Sequence, residues 1–123
     1  MNAMIYAGLP FEIQREVKNP SIKMLRAEEI KNLVESHFDV TTEDLMRTTI
    51  GGREEERKLI PRQVWQFLLK KHTDLTLKEI GRLTNRHHAT VINALKKIDH
   101  IKDFKYDPYF KTTNEIIEKA QKL

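Results

Sequence analysis

Arg86, His87, His88, Thr90 and Asn93 all donate or accept hydrogen bonds, and they crowd into one short stretch of a 123-residue chain. On the exposed start of a helix they would address base edges in the major groove of duplex DNA. Lys96 and Lys97 follow them, and Lys70, Lys71, Lys78 and Arg82 precede them, so an approaching duplex meets cations on several sides. Neutralised phosphates would then supply most of the affinity through counterion release, and base contacts the discrimination. On this reading His87, His88, Thr90 and Asn93 face bases. Arg62, Lys70, Lys78, Arg82, Arg86 and Lys97 face the sugar-phosphate backbone.

Two other chemistries use the same residue types. His87 and His88 as metal ligands would point about 100° apart on a helix. No third ligand follows at a suitable spacing, and zinc sites more usually show Cys/His clusters or H-E-x-x-H. A histidine acting as general base needs a nucleophile and an orienting acid, and no such constellation is visible. No metal, no cofactor and no enzymatic activity are therefore expected.

The elements that would position these residues are helical. Thr76 and Glu79 have the S/T-x-x-E spacing of a capping box, which predicts a helix from Leu77 to about Leu83. Thr84, Asn85 and Arg86 are poor helix-interior residues, and Asn85 suits a turn or a cap for the next helix. Val91, Ala94, Leu95, Ile98 and Ile101 recur at helical spacing, predicting a second helix over residues 87–101. Two short helices around a tight polar turn make a helix-turn-helix.

Upstream, Pro61 is expected to open an apolar helix carrying Val64, Trp65, Phe67, Leu68 and Leu69 as far as Lys71 or His72. Trp65 reads as core in preference to a base-stacking platform. Residues 47–59, with Gly51-Gly52 and mixed charge, read as a flexible loop. Ile30, Leu33, Val34 and Phe38 predict a helix over 27–38 with His37 near its end, and Thr41 and Thr42 ahead of Glu43 and Asp44 open a short one carrying Leu45 and Met46. At the far end Asp107 reads as N-cap and Pro108 as first residue of a last helix burying Phe110, Ile116, Ile117, Ala120 and Leu123. Neither strand alternation nor an internal repeat occurs. The expectation is an all-α, compact domain of about six helices over residues 26–123, preceded by an N-terminal arm or partner-binding helix over residues 1–25.

Composition bounds the function classes. The length suits one domain able to bury a core unaided, and a charged fraction of 33% beside 39% hydrophobic residues describes a charge-laced soluble protein. With no cysteine, disulfides, thiolate zinc sites and cysteine nucleophiles are excluded. The first residues show neither a leader nor an apolar run, so no membrane and a cytoplasmic location are expected. Residues 62–102 hold nine Lys/Arg against three Asp/Glu, a net of +6, whereas residues 1–61 hold nine against eleven, a net of −2. One basic block on a nearly neutral remainder is the footprint of a nucleic-acid face, though a solvated lysine-rich surface has the same charge.

Pro61-Arg62-Gln63, Leu77-x-Glu79-Ile80-Gly81 and Arg86-x-His88-x-Thr90-Val91, followed by Ala94 and Lys97-Ile98, together resemble the C-terminal DNA-binding domain of the bacterial chromosomal replication initiator DnaA. The resemblance covers roughly residues 27–101 and implies a helix-turn-helix fold of the kind also found in the Trp repressor. It implies sequence-specific binding of double-stranded DNA, with His88 and Thr90 at base-contacting positions and Arg86 and Lys70 near the backbone. It also implies a role in plasmid, phage or chromosomal replication initiation or its regulation, with replication proteins as further partners.

The chain departs from that family's pattern at defined places. The family's aspartate, a partner for a cytosine amino group, is His87 here, and its first threonine is Ala89, so a different preferred sequence is expected. The turn is one residue shorter. The family's basic loop, which sends an arginine into the minor groove, corresponds to a stretch where Glu54, Glu55 and Glu56 interrupt Arg53, Arg57 and Lys58. Those three basic residues are the candidate minor-groove contacts. No G-x-x-x-x-G-K-[ST] phosphate cradle is present, so neither nucleotide binding nor ATPase activity is expected. Two alternatives remain: a protein-interaction adaptor that keeps the fold, and a transcriptional regulator.

Overall fold

Residues 22–46 and 54–123 are described in a computed structural model of the chain, with side chains over 26–46 and 59–123. Most of the expected arm, residues 1–21, lies outside them. Six helices follow one another: α1 Ile22–Phe38, α2 Thr42–Met46, α3 Glu54–His72, α4 Leu77–Leu83, α5 His88–Asp103 and α6 Phe110–Gln121. Among the described residues there is no strand, and no helix is long and apolar enough to cross a membrane. The fold is all-α, as the periodicity predicts.

Helix α3 is the axle of the domain. Ile60, Val64, Trp65, Phe67, Leu68 and Leu69 are all buried, so apolar surface faces nearly every direction around it. A helix of that kind is stable only when enclosed. Helix α3 accordingly packs against each of the other five. Ala27, Ile30 and Val34 of α1 meet it from one side, Leu45 of α2, Ile80 and Leu83 of α4, Val91, Ile98 and Ile101 of α5, and Ile116, Ile117 and Ala120 of α6 from others. Trp65 is 1% exposed and belongs to this core, as expected.

Three element boundaries differ from the sequence reading. Helix α3 begins at Glu54, so Pro61 stands inside it and residues 54–59 are helix instead of the expected loop. An interior proline forfeits one backbone hydrogen bond, a loss of about 3 kcal/mol. The good helix formers ahead of it and the burial of Ile60 at 2% exposure oppose that loss. Helix α1 starts at Ile22, earlier than its apolar stripe suggests, and runs through the boundary expected at residue 25. Helix α6 starts at Phe110, since Asp107 Oδ1 accepts the N–H of Tyr109 at 2.8 Å and holds a turn there instead of capping a helix. Because α6 ends at Gln121, Leu123 is exposed at 45% and lies outside the core.

The chain ends of the core are tied by polar contacts. Thr41 Oγ1 accepts the N–H of Asp44 at 3.1 Å while Asp44 Oδ2 accepts the N–H of Thr41 at 3.1 Å, a reciprocal cap that starts α2. Asn114 Nδ2 donates to the carbonyl of Lys102 at 3.1 Å, fastening α6 to the end of α5. His37 bridges α1 and α6. Its Nε2 donates to the Thr112 carbonyl at 3.2 Å, and its Nδ1 accepts from Lys119 Nζ at 3.0 Å. The acceptor contact at Nδ1 requires a neutral ring, and burial followed by the charge of Lys119 lowers its pKa below the ordinary 6.5. Burial, then Lys71 and Arg26, lowers His72 in the same direction.

A base whose folded pKa is depressed takes its proton first in the unfolded chain, so stability is present above pH 6.5 and falls as the pH drops below it. Thermal unfolding at pH 7.5 and 5.5 is expected to give a lower Tm at the acidic value. His37→Gln, which keeps a donor and an acceptor but cannot be protonated, is expected to reduce that difference. An unchanged pH dependence in the variant would remove His37 from the account.

Candidate nucleic-acid interface

The geometry of the interface begins with a capped helix. Thr76 Oγ1 accepts the N–H of Glu79 at 3.2 Å and Glu79 Oε1 accepts the N–H of Thr76 at 2.9 Å, the capping box that the spacing predicts. Helix α4 spans Leu77–Leu83, as expected. It ends on Asn85, whose φ of 57° is left-handed. The N–H of Arg86 reaches back to the carbonyl of Gly81 at 2.7 Å and that of Asn85 to Arg82 at 3.2 Å. This pair of bonds is a Schellman motif, with asparagine in the place glycine usually takes.

Gly81 is the residue that permits the turn. A Cβ there would lie 2.5 Å from the Arg86 carbonyl oxygen and 3.4 Å from the His88 nitrogen. The turn is also fastened to α3. Gln66 Nε2 donates to Thr84 Oγ1 at 3.0 Å, and that hydroxyl donates to the Ile80 carbonyl at 2.8 Å. Thr84 and Gln66 are both buried, so these directional bonds act without competition from water.

Helix α5 starts on His87, whose extended backbone and Nδ1 cap it by accepting the N–H of Ala89 at 3.1 Å. Asn85 therefore supplies the turn alone, and His87 is the cap. Val91, Ala94, Ile98 and Ile101 are buried, while Leu95 packs at the margin. That stripe turns Thr90, Asn93, Lys96 and Lys97 outward, and all four are exposed. His88 is half-buried, its ring centroid 4.2 Å from that of exposed His87. At about 100° per residue, His88 and Thr90 lie about 160° apart around the axis. They share neighbouring space only at the helix tip, whereas Thr90, Asn93 and Lys97 form one continuous flank.

The cations of this region differ in how freely they meet solvent. Lys70, Lys78 and Arg82 are exposed, and so are Lys96 and Lys97. Arg86 is half-buried in the turn, its Nη1 donating to the Asn85 carbonyl at 2.6 Å, and burial holds its guanidinium below the usual range. Lys102 is drawn away from the surface field by Asp99 at 3.7 Å and Asp103 at 3.3 Å. Lys71 lies over the Phe67 ring, 5.7 Å from its centroid.

One expected contact is corrected, and one group of expected contacts has its side chains outside the described residues. Arg62 is 3% exposed, and its Nε donates to the Leu45 carbonyl at 3.0 Å, closing the end of α2. It is a core clamp and no phosphate can reach it. Arg57 and Lys58 stand in α3, not in a loop, while Arg53 and the side chains of all three lie outside the described residues. The capping role of His87 escapes sequence reasoning because histidine is not among the preferred cap residues. Its position directly ahead of the apolar stripe is the available signal. Among the described residues no group of three or more His, Cys, Asp or Glu is placed to hold a metal ion.

Comparison with known proteins agrees with this geometry. Residues 27–98 match the family described as the bacterial dnaA protein helix-turn-helix. Over 80 residues, 64% of this chain, the sequence is 38% identical to the chromosomal replication initiator protein DnaA of Brucella abortus, and equally to those of Brucella suis and Brucella melitensis. The matched region spans 15% of the length of each of these relatives.

The turn makes a stability prediction. Gly81→Ala is expected to destabilise the domain, because overpacking of about 1–3 kcal/mol falls on a backbone oxygen that cannot swing aside. Helix propensity returns only about 1 kcal/mol. Asn85→Ala should lose about 1–2 kcal/mol from its left-handed backbone, and Asn85→Gly should be the more stable of the two. Chemical denaturation measures all three, and equal midpoints for the two Asn85 variants would contradict the turn geometry.

Proposed function

We propose, on the premise that this chain belongs to the bacterial DnaA helix-turn-helix family, that it binds double-stranded DNA in a sequence-specific way through the tip of α5. The setting is replication initiation or its control, which the role of the matched relatives as chromosomal replication initiators supports. The domain acts as a binding module without nucleotide hydrolysis of its own. One observation carries the reading: an exposed polar flank of Thr90, Asn93 and Lys97 begins at a rigidly held turn, and Lys70, Lys78, Arg82 and Lys96 are exposed on α5 and the two helices before it.

The division of labour follows from exposure and chemistry. His87, His88, Thr90 and Asn93 supply directional donors and acceptors at or near the tip and read base edges. Lys70, Lys78, Arg82 and Lys97, with Arg86 at the turn, neutralise phosphates and set the register. Replication proteins are further partners on this reading.

Fluorescence anisotropy with a random duplex tests the electrostatic part. About four to six phosphate contacts predict that log K falls with log salt at a slope of roughly −4 to −5. Weak, salt-independent binding would leave an adaptor retaining only the fold. Against a selected site, Thr90→Ala or His88→Ala should reduce discrimination by about 1–3 kcal/mol each. Lys70→Ala should instead weaken every sequence equally and flatten the salt slope by about one. Identical effects of both classes on selected and random duplexes would rule out direct readout by α5.

A further inference from the structure

His87 combines a structural task with an exposed reactive edge. Its Nδ1 accepts the Ala89 N–H at 3.1 Å, which occupies the one unprotonated nitrogen of a neutral imidazole. The ring proton therefore sits on Nε2. The His88 ring, 4.2 Å away and tilted by 33°, packs against the imidazole and holds its plane. His87 itself is exposed at the start of α5. The result is a single N–H donor, fixed in orientation, at the tip of the helix.

The geometry points to His87 as a residue that fixes the polarity of base readout: it donates to the DNA and so selects against cytosine on the strand it faces. This rests on the duplex-binding reading above. In the major groove guanine offers O6 and N7, adenine N7 and thymine O4, all acceptors. Cytosine offers only its N4 amino donor. An N–H meeting that amino group leaves two donors opposed and desolvated, which is the unfavourable case. A capping carboxylate at the same position would have the opposite taste, since its second oxygen accepts from an amino group.

The cap lets the two tasks be separated experimentally. Asp and Asn are strong N-cap residues, so His87→Asp and His87→Asn preserve the start of α5, and circular dichroism with thermal unfolding verifies it. Asn caps through Oδ1 and keeps an outward Nδ2 donor. Asp caps through one oxygen and presents the other as acceptor. Sites are selected from a random duplex pool with the unaltered protein and both variants.

At one position of the selected site, the unaltered protein and His87→Asn are expected to disfavour cytosine about fivefold, as for a single good contact. His87→Asp is expected to enrich cytosine there, with the other positions unchanged. Identical preferences for all three proteins at every position would overturn the donor assignment while leaving duplex recognition intact. Failure of the unaltered protein to enrich any site would overturn both.

Discussion

The approach of the Gly81 backbone to the Arg86 carbonyl decides where α5 points. With the Arg86 N–H bonded to the Gly81 carbonyl at 2.7 Å, the chain reverses within a few residues and delivers His87 directly to the start of the next helix. A side chain at Gly81 would enter the space that the Arg86 carbonyl fills. Because α5 is a rigid rod, a displacement at the turn is transmitted to Thr90, Asn93 and Lys97 as a single rotation. The position of the tip is therefore sensitive to backbone geometry several residues away from it.

Apolar contacts alone would leave that rotation loosely defined. Burial of Val91, Ala94, Ile98 and Ile101 fixes the distance between α5 and α3, but dispersion is nearly indifferent to small rotations about the helix axis. Hydrogen bonds are directional. The chain places them where orientation matters: Gln66 on Thr84 at the turn, Arg62 on Leu45 at the end of α2, and Asn114 on Lys102 at the end of α5. Each joins a side chain of one helix to the terminus of another. Helix termini carry unpaired backbone groups, so the Arg62 and Asn114 bonds also satisfy carbonyls there, while Gln66 acts through the Thr84 side chain.

Features written in local spacing are legible in the sequence. The Thr76/Glu79 box, the asparagine in the turn and the stripe from Val91 to Ile101 each depend on residues within a few positions of one another, and the structure contains all of them. What escapes depends on partners distant in sequence. Arg62 has the look of a surface cation because arginine usually is one, yet its acceptor is a carbonyl 17 residues earlier. Its neighbours Pro61, Val64 and Trp65 are buried, which is the trace that this burial leaves in the sequence. Pro61 reads locally as a helix start because a proline tolerates that place best, and the enclosure of α3 on every side overrides the local preference. Asp107 has cap chemistry, but it serves a turn one step before the helix.

The N-cap position of α5 restricts what the helix tip can present to a partner. A residue there stabilises the helix by accepting a backbone N–H, so the favoured side chains are those with an acceptor close to the backbone: Ser, Thr, Asp, Asn, and here His through Nδ1. Each choice leaves a different group on the outside. Aspartate leaves a second acceptor, asparagine an amide donor, histidine an imidazole N–H, and serine nothing of comparable reach. Capping thus favours a short list of outward chemistries at the helix tip. Thr90 and Asn93 carry no such obligation, since the buried stripe beneath them already fixes α5. Change at those two positions leaves the start of α5 untouched, whereas change at His87 preserves it only when the new side chain can also cap.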